Sequence, residues 1–445
     1  MRARRPHSDS HAQTRSQGHW LTDAGLKLHS VLADVFADFE QADVTWCCLR
    51  LPSNLCAPES DIDLLINPAD FARVPPLLLA RKFVRIPLRG RSSHWLCYHR
   101  STAQWLWLHC TTELSFGPGY QWKTKAEAGC LNRRHWKGPL AILGPDDAFW
   151  ALLLHVLLDK DAIQLRHEES LQAIAAYAKV DGPLGRIVET ACPPGWTPAQ
   201  IVHCASTGAW EALETLAPAL KAKVIPRPSV GVQRVFRRGQ RALADLLSLR
   251  WWQRRGLSVA LLGPDGAGKS TLADGLKASS VFPVRLVYMG LTGGALPYID
   301  FLLLPGLVQL GRIGVLWSRY LRGLYHQVRG RLVVFDRYIY DAMTPHPERL
   351  NWYRRATRWI DGHTCPGPDL VLVLNAPGQV MYERKREYTP DMLEDWRQHF
   401  LALQDWLPQV ELVDTTRTAE EVCADAMDQI WQRYAARLKQ FSSSL

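Results

Sequence analysis

The chain has 445 residues, more than one hydrophobic core usually fills, so we expect two or three domains. With 47% hydrophobic and 22% charged residues, its composition is that of a folded globular protein and excludes a disordered or fibrous chain. The net charge of +10 favours anionic partners such as nucleotides, nucleic acid, phosphorylated substrates or an acidic membrane surface. The charge alone does not distinguish among these classes of partner.

The ten cysteines are scattered, without C-x-x-C pairs or histidines at zinc spacing, so the sequence suggests neither a metal knuckle nor a disulfide scaffold and fits a reducing cytoplasm. Residues 1–20 are basic and polar, so we expect a disordered arm rather than a secretory signal. The most apolar window, residues 301–317, contains Pro305, Gln309 and Arg312, so no transmembrane helix is expected. The predicted location is the cytoplasm, with peripheral contact to the inner membrane face left open.

Residues 21–222 are predicted to form a first α/β domain with a helical appendage. Strand-like runs such as TWCCLRLP, DIDLLI and WLWLHC alternate with helical patterns, and from Pro145 to about Leu220 the pattern is helical. Pro145 suits the first position of a helix. His155 lies inside this helix, where a histidine is more often a core residue than a catalyst.

Asp61 and Asp63 stand two residues apart in the run PESDIDLLINP. In a strand such residues face the same side, and paired carboxylates on one face suit Mg²⁺. The arrangement resembles the nucleotidyltransferase superfamily over about residues 40–220. That superfamily's third carboxylate has no counterpart in WLWLHC, where His109 or the more distant Glu113 would have to serve.

Residues 223–255 are predicted to be a linker with a basic helix, because KVIPRPSVG interrupts the pattern and an arginine-rich stretch follows. In residues 256–445 the short apolar runs LSVALLG, VRLVYMG, RLVVFD and DLVLVLN alternate with helical stretches. This alternation predicts a parallel sheet covered by helices on both faces. The fold class is α/β, with a C-terminal parallel-sheet domain of the P-loop type preceded by a smaller α/β domain.

The junction after LSVALLG reads Gly263, Pro264, Asp265, Gly266, Ala267, Gly268, Lys269, Ser270 and Thr271. It fits G-x-x-x-x-G-K-[ST], and a strand before it and a helix after it are the context that supports a phosphate-binding loop. The glycines let backbone N–H groups turn toward phosphate oxygens, Lys269 reaches the β and γ phosphates, and Ser270 ligates Mg²⁺. All nine residues are therefore predicted to bind ATP.

Asp336 and Arg337 follow the run RLVVF, at the edge of an open α/β sheet where ligands bind. We expect Asp336 to help hold Mg²⁺ and Arg337 to grip a phosphoryl group. A surface ion pair is the alternative.

A basic segment, Arg384, Lys385 and Arg386, precedes a threonine and proline that suit the start of a helix. A basic cluster between two helices is what a closing lid needs to neutralise charge on the γ-phosphate. The alternative is a solvated run of charges.

The motifs GPDGAGKST, FDRY and PDLVLVLNAP, with the basic segment, resemble the thymidylate kinase family of nucleoside monophosphate kinases over residues 256–445. The resemblance implies ATP and Mg²⁺ bound by the glycine loop, with Asp265 and Arg337 near the acceptor. It also implies that Arg384 and Arg386 complete the site.

The chain departs from that family's pattern in three places. MGLTGGALP, residues 289–297, replaces a proline-glycine-glycine loop, Asp341 stands where a serine is expected, and Asn375 stands where aspartate is frequent. No glutamine suited to reading a thymine edge is evident. The resemblance therefore implies kinase chemistry, and a thymidylate acceptor is not expected.

Residues 310–328 repeat apolar side chains at steps of three and four, which predicts one apolar helix face made of Leu310, Ile313, Trp317, Leu321, Leu324 and Val328. A basic stripe follows another face, with Arg312, Arg319, Arg322, His326 and Arg329. The stripe is predicted to receive an anionic acceptor or to rest on an acidic membrane. The alternative is a solvated arginine face beside a core-packed apolar stripe.

These features predict a kinase that uses ATP and Mg²⁺ to phosphorylate a nucleotide, sugar or glycan-type acceptor, with Lys269, Asp336, Arg337, Arg384 and Arg386 as its catalytic residues. DNA binding is not expected, and a homodimer is left open. Two alternatives remain. One is a nucleotidyltransferase regulated by its P-loop domain, and the other is a non-catalytic nucleotide-binding regulator.

Overall fold

The computed structural model describes residues 27–50, 54–86, 93–117, 120–160, 163–224, 255–290, 305–343 and 352–442. They form two compact units, one made of residues 27–97 and 105–224 and the other of residues 98–104 and 255–442. No helix in these ranges is long and apolar enough to cross a membrane. The predicted arm and nearly all of the predicted linker lie outside the described residues.

The strands of the first part of the chain are short. They are β1 (Trp46–Cys48), β2 (Ile62–Ile66), β3 (Val84–Ile86), β4 (Ser93–His99), β5 (Gln104–Thr111), β6 (Ser115–Phe116), β7 (Trp122–Lys123), β8 (His135–Lys137) and β9 (Leu140–Ile142). Seven of them form a mixed sheet in the order β3-β4-β5-β2-β1-β9-β8, and β6 pairs with β7. β2 runs parallel to β5 and antiparallel to β1, so the predicted strands DIDLLI and WLWLHC are neighbours.

Within the described residues, eight α-helices accompany this sheet. They are α1 (Ser30–Gln41), α2 (Val74–Ala80), α3 (Glu127–Asn132), α4 (Pro145–Asp159), α5 (Leu165–Ala175), α6 (Pro183–Ala191), α7 (Pro198–Thr207) and α8 (Trp210–Val224). The predicted start of α4 at Pro145 is confirmed. α4 is almost entirely buried, and His155 on it shares a hydrogen bond with Asp159 at 2.8 Å.

β5 shows how the sheet separates its two faces. Leu106, Leu108 and Cys110 are buried in the core, whereas Trp107 and His109 alternate with them and are partly exposed. Successive side chains of a strand point to opposite faces, so this alternation places His109 on the face opposite the Leu106 row.

The second unit contains one parallel sheet within the described residues. Its strands are β10 (Ser258–Leu262), β11 (Val284–Tyr288), β12 (Leu332–Asp336), β13 (Leu370–Asn375) and β14 (Val410–Asp414), in the order β11-β12-β10-β13-β14. All four pairings are parallel. The predicted α/β class and parallel sheet are confirmed.

The helices of this unit are α9 (Lys269–Ser279), α10 (Pro305–Val328), α11 (Trp352–His363), α12 (Gly378–Arg384), α13 (Pro390–Leu401) and α14 (Ala419–Ser442). α9 packs against α14, and α10 packs against α11, β11 and β12. Right-handed crossovers put α9 and α10 on opposite faces, because the chain moves in opposite directions across the sheet before and after β11. The loop between β10 and α9 lies at the carboxyl edge of the sheet, because it directly follows the end of β10.

The alternative interpretation of α10, in which its apolar stripe packs into the core, does not agree with the structure. Among the described residues of α10, Leu316, Gly323 and Gln327 are buried, and a Cβ on Gly323 would lie 2.6 Å from the Phe335 ring. The large side chains that most strongly define the predicted apolar face are exposed instead, namely Leu310, Trp317, Leu321 and Val328. The face turned to the sheet carries Leu316 in the core, Tyr320 packed against it, and the buried Gly323 and Gln327.

Candidate functional site

The glycine loop has the backbone shape that its sequence predicts. Gly263, Gly266 and Gly268 have φ values of 144°, 85° and 98°, which residues with a Cβ rarely adopt. β10 ends at Leu262, and α9 begins at Lys269. The N–H groups of the first helical turn have no partner within a helix, so this terminus favours an anion.

Lys269 lies at the centre of this loop and is 9% exposed. Its ammonium donates to the carbonyl oxygens of Gly263 at 2.7 Å and Pro264 at 2.8 Å, and lies 3.8 Å from Asp265 Oδ1. Burial lowers the pKa of Lys269, and the charge of Asp265 opposes that shift. A buried cation held against backbone carbonyls is already positioned for a phosphate oxygen.

A second cation joins the loop to the adjacent strand. Arg337 directly follows β12 and has a φ of 64°, unusual for a residue with a side chain. Its guanidinium donates to Asp265 at 2.9 Å and lies 3.8 Å from Asp341 Oδ2. Burial raises the pKa of Asp341 to about 6, although Arg337 and Lys269 oppose the rise. The structure therefore brings Lys269, Asp265 and Arg337 together as predicted, and adds Asp341.

Ser270 and Asp336 are the predicted Mg²⁺ ligands. Ser270 is exposed in the first turn of α9, and Asp336 ends β12, where it pairs with Leu261 near the end of β10. A hydroxyl and a carboxylate are the hard oxygen donors that Mg²⁺ prefers. Their chemistry fits that ion.

The basic segment lies between two helices, as predicted. α12 ends at Arg384, and α13 begins at Pro390 after the N-cap Thr389. Arg384 donates to the carbonyl of Thr415 at 2.7 Å, and Arg386 is exposed. Their predicted catalytic role stays a prediction, and in this conformation Arg384 is engaged outside the glycine loop.

Two features beside the site were not predicted. Arg397 on α13 donates to Asn375 Oδ1 at 2.6 Å, at the end of β13. Arg319 on α10 donates to the carbonyl of Gly290 at 2.8 Å, and a Cβ on Gly290 would lie 3.0 Å from Arg337 Cδ. Arg319 and Arg337 thus both lie beside Gly290. The helical spacing in the sequence had grouped Arg319 only with the other arginines of α10.

The residues of the basic stripe predicted on α10 differ in exposure and in their contacts. Arg319 is partly buried at the end of β11, and His326 shares a hydrogen bond with Arg331 at 2.9 Å. Arg312, Arg322 and Arg329 are exposed.

In the first unit, Asp61, Asp63 and His109 lie together, each with a possible ligand atom within 4.8 Å of the others. Asp63 pairs with His109 across β2 and β5, and His109 Nδ1 shares a hydrogen bond with Asp63 Oδ1 at 2.6 Å. The third position of the predicted cluster is thus taken by His109. Glu113, the other candidate, forms an ion pair with Lys123.

Asp63 is also held by Arg50, whose Nε donates to Oδ2 at 3.1 Å. Burial by itself raises the pKa of Asp63, but the His109 hydrogen bond and the Arg50 charge outweigh it and hold the pKa below its usual range. A cation bound by Asp63 would have to displace Arg50. No spacing in the sequence indicated this ion pair.

His94 completes this cluster by stacking on His109, with ring centroids 4.3 Å apart. Burial, followed by the charge of His109, lowers the pKa of His94 to about 4. His94 is therefore uncharged at neutral pH.

No family model matches the chain, and no curated protein is significantly similar to it. The solved structures similar to it include thymidylate kinase from Candida albicans, at 19% identity. That alignment covers 41% of this chain and 93% of the other, with a TM-score of 0.30.

Proposed function

We propose that residues 256–445 form a phosphotransferase that moves the γ-phosphoryl group of ATP to a nucleotide, sugar or glycan-type acceptor. One observation carries the proposal. The buried Lys269 ammonium lies within the glycine loop, 3.8 Å from the Asp265 carboxylate that also binds Arg337. This arrangement offers two cations at the carboxyl edge of a parallel sheet, where phosphoryl transfer depends on positioning and charge.

In the proposed reaction, the bond between the γ-phosphorus and its bridging oxygen breaks, a bond to an acceptor oxygen forms, and ADP leaves. A nucleotide acceptor attacks through an ionised phosphate oxygen, and a hydroxyl acceptor releases its proton to water. Backbone N–H groups of the loop and of the first turn of α9 would hold the phosphates. Lys269 would neutralise charge on the β and γ oxygens. Arg337 and its neighbour Arg319 would hold an anionic group of the acceptor.

Ser270 and Asp336 would hold Mg²⁺. The ion, when bound, supplies positive charge to the phosphate oxygens. Arg384 and Arg386 would add to this charge if the segment between α12 and α13 closes over the nucleotide. Both side chains are exposed, and Arg384 would have to release the Thr415 carbonyl to take part in this closure.

The test is ADP release by the full chain, measured with ATP, Mg²⁺ and a panel of nucleotides, sugars and glycans. Lys269→Ala should lower acceptor-dependent ADP release by at least about a hundredfold while the thermal unfolding transition is retained. Lys277→Ala is the matched control, because Lys277 is an exposed lysine on the same helix. Retention of more than about a tenth of wild-type turnover in Lys269→Ala would refute the proposal.

A second candidate function is nucleotidyl transfer by the first unit. The observation in its favour is the grouping of Asp61, Asp63 and His109. Carboxylates and an imidazole together suit Mg²⁺ less well than Mn²⁺ or Zn²⁺. Pyrophosphate release, measured beside ADP release, separates this function from the kinase, and nucleotide binding without either product would leave a non-catalytic regulator.

A further inference from the structure

The outer side of α10 carries a continuous row of large apolar side chains. Leu310, Trp317, Leu321, Tyr325 and Val328 recur at steps of seven, four, four and three, which places them on one face of the helix. Their exposed fractions are 64%, 39%, 52%, 54% and 38%. We call these five residues the outer face of α10. A contiguous exposed apolar face marks an interaction surface, whereas scattered exposed leucines do not.

The charge around the outer face has one sign. Residues 301–335 contain five arginines and no aspartate or glutamate. Arg322 and Arg329 are exposed one residue beyond Leu321 and Val328, on the flank of the outer face. Arg329 Nη1 donates to the Tyr325 hydroxyl, and its guanidinium lies 5.3 Å from the Tyr325 ring centre.

The one acid of α11, the helix packed against α10, is Asp361, and the arginine charges that act on it are those of Arg312 and Arg358. Asp361 of α11 is 2% exposed and accepts a hydrogen bond from Gln309 at 2.7 Å. Its carboxylate is therefore occupied inside the unit.

We propose that the outer face of α10 docks on an anionic lipid bilayer. A helix lying in a membrane interface buries an apolar face among the headgroups and acyl chains and places arginines beside lipid phosphates. Trp317 and Tyr325 have the amphipathic rings that favour this depth. The proposal is independent of the kinase assignment, since none of its residues belongs to the glycine loop.

A second copy of the chain is a less suitable occupant. In a twofold dimer built on this face, each copy would present the same surface, so the arginines of the two copies would approach one another without intervening acids from α10. A bilayer containing acidic lipids supplies both the apolar layer and the negative charge.

The test is sedimentation of the full-length protein with vesicles at low salt. One set contains phosphatidylcholine alone, and the other contains equal parts of phosphatidylcholine and phosphatidylglycerol. We expect binding to the acidic vesicles, weakening as salt is raised, and little binding to the neutral ones.

Two variants with matched controls test the two contributions to binding, the arginine charge and the apolar contact with the bilayer. Arg322→Gln should weaken binding to the acidic vesicles by roughly fivefold, whereas Lys277→Gln, an equal charge change on α9, should alter it by less than about twofold. Trp317→Gln should weaken binding by about tenfold, whereas Trp406→Gln, at a tryptophan that is 50% exposed, should not. Thermal unfolding confirms that each variant is folded.

Three results would overturn the proposal. The first is no wild-type binding to the acidic vesicles at low salt. The second is equal binding by the α10 variants and their controls. The third is a concentration-dependent dimer, seen by analytical ultracentrifugation, that Trp317→Gln dissociates, which would assign the outer face to a second copy.

Discussion

Replacing Gly266 by alanine tests whether the shape of the glycine loop depends on its contact with α12. Gly266 has a φ of 85°, and a Cβ added there would lie 2.4 Å from the carbonyl oxygen of Met381. That oxygen accepts the hydrogen bond from the Lys385 N–H that ends α12. The loop or the last turn of α12 must therefore shift to admit a methyl group.

Gly268→Ala is the matched variant. Gly268 has a φ of 98°, and an added Cβ would meet no atom within 4 Å. It should therefore show only the left-handed backbone penalty, about 1–2 kcal/mol. Gly266→Ala should show the same penalty plus the steric overlap, for a total of roughly 3–4 kcal/mol.

The assay is denaturant unfolding of both variants. The transition to measure is the one that moves to higher denaturant when ATP is added to the wild type, because it reports unfolding of the unit that holds the glycine loop. Gly266→Ala should also weaken ATP binding more than Gly268→Ala, because the displaced turn precedes the basic segment. If both variants lose the same stability, or if Gly266→Ala lies within about 0.5 kcal/mol of wild type, the loop is not held against α12 as described.

Three further predictions concern pH and the first unit. Because the pKa of His94 is lowered to about 4, wild-type stability should fall by about 1–2 kcal/mol as pH drops from 6.5 toward 4, and His94→Gln should remove that dependence in urea titrations. The pKa of Asp341 is raised to about 6, so ionising it opposes folding. Asp341→Asn should be more stable than wild type by about 2–3 kcal/mol above pH 6 and nearly equal to it near pH 4, and a difference of that size that persists at pH 4 would contradict the assignment. Asp61→Asn combined with Asp63→Asn should leave ADP release within about twofold of wild type, and loss of that activity with intact ATP binding would make the first unit the catalytic one.

The glycine loop could be predicted from the sequence because its information is local. Three glycines, a lysine and the flanking strand and helix fix a backbone shape within nine residues, and the observed φ values agree with it. The position of Asp336 and Arg337 also followed from sequence, since a buried strand that ends in charged residues exposes them at the edge of the sheet.

Contacts between distant segments could not be predicted in the same way. Arg50 follows the end of β1 and Asp63 lies 13 residues later on β2, and no periodicity links them. The face of α10 that meets the sheet could not be predicted for another reason. An amphipathic pattern gives the angle between two faces, but it does not say which face meets the sheet. The small Gly323 allows close approach to Phe335, and this packing turned the bulkier apolar residues outward.

The two hydrogen bonds that Lys269 makes to Gly263 and Pro264 affect how a phosphate would be bound. Both bonds are short, at 2.7 and 2.8 Å, so two carbonyl groups of the loop already accept hydrogen bonds from the Lys269 ammonium. An incoming phosphate oxygen would compete with these carbonyls, and the exchange would gain less enthalpy than a new bond to an unpaired ammonium. The internal bonds also keep the lysine in one rotamer, which reduces the side-chain entropy lost on association. Selectivity for a triphosphate would then depend more on the backbone amides and the metal than on this cation.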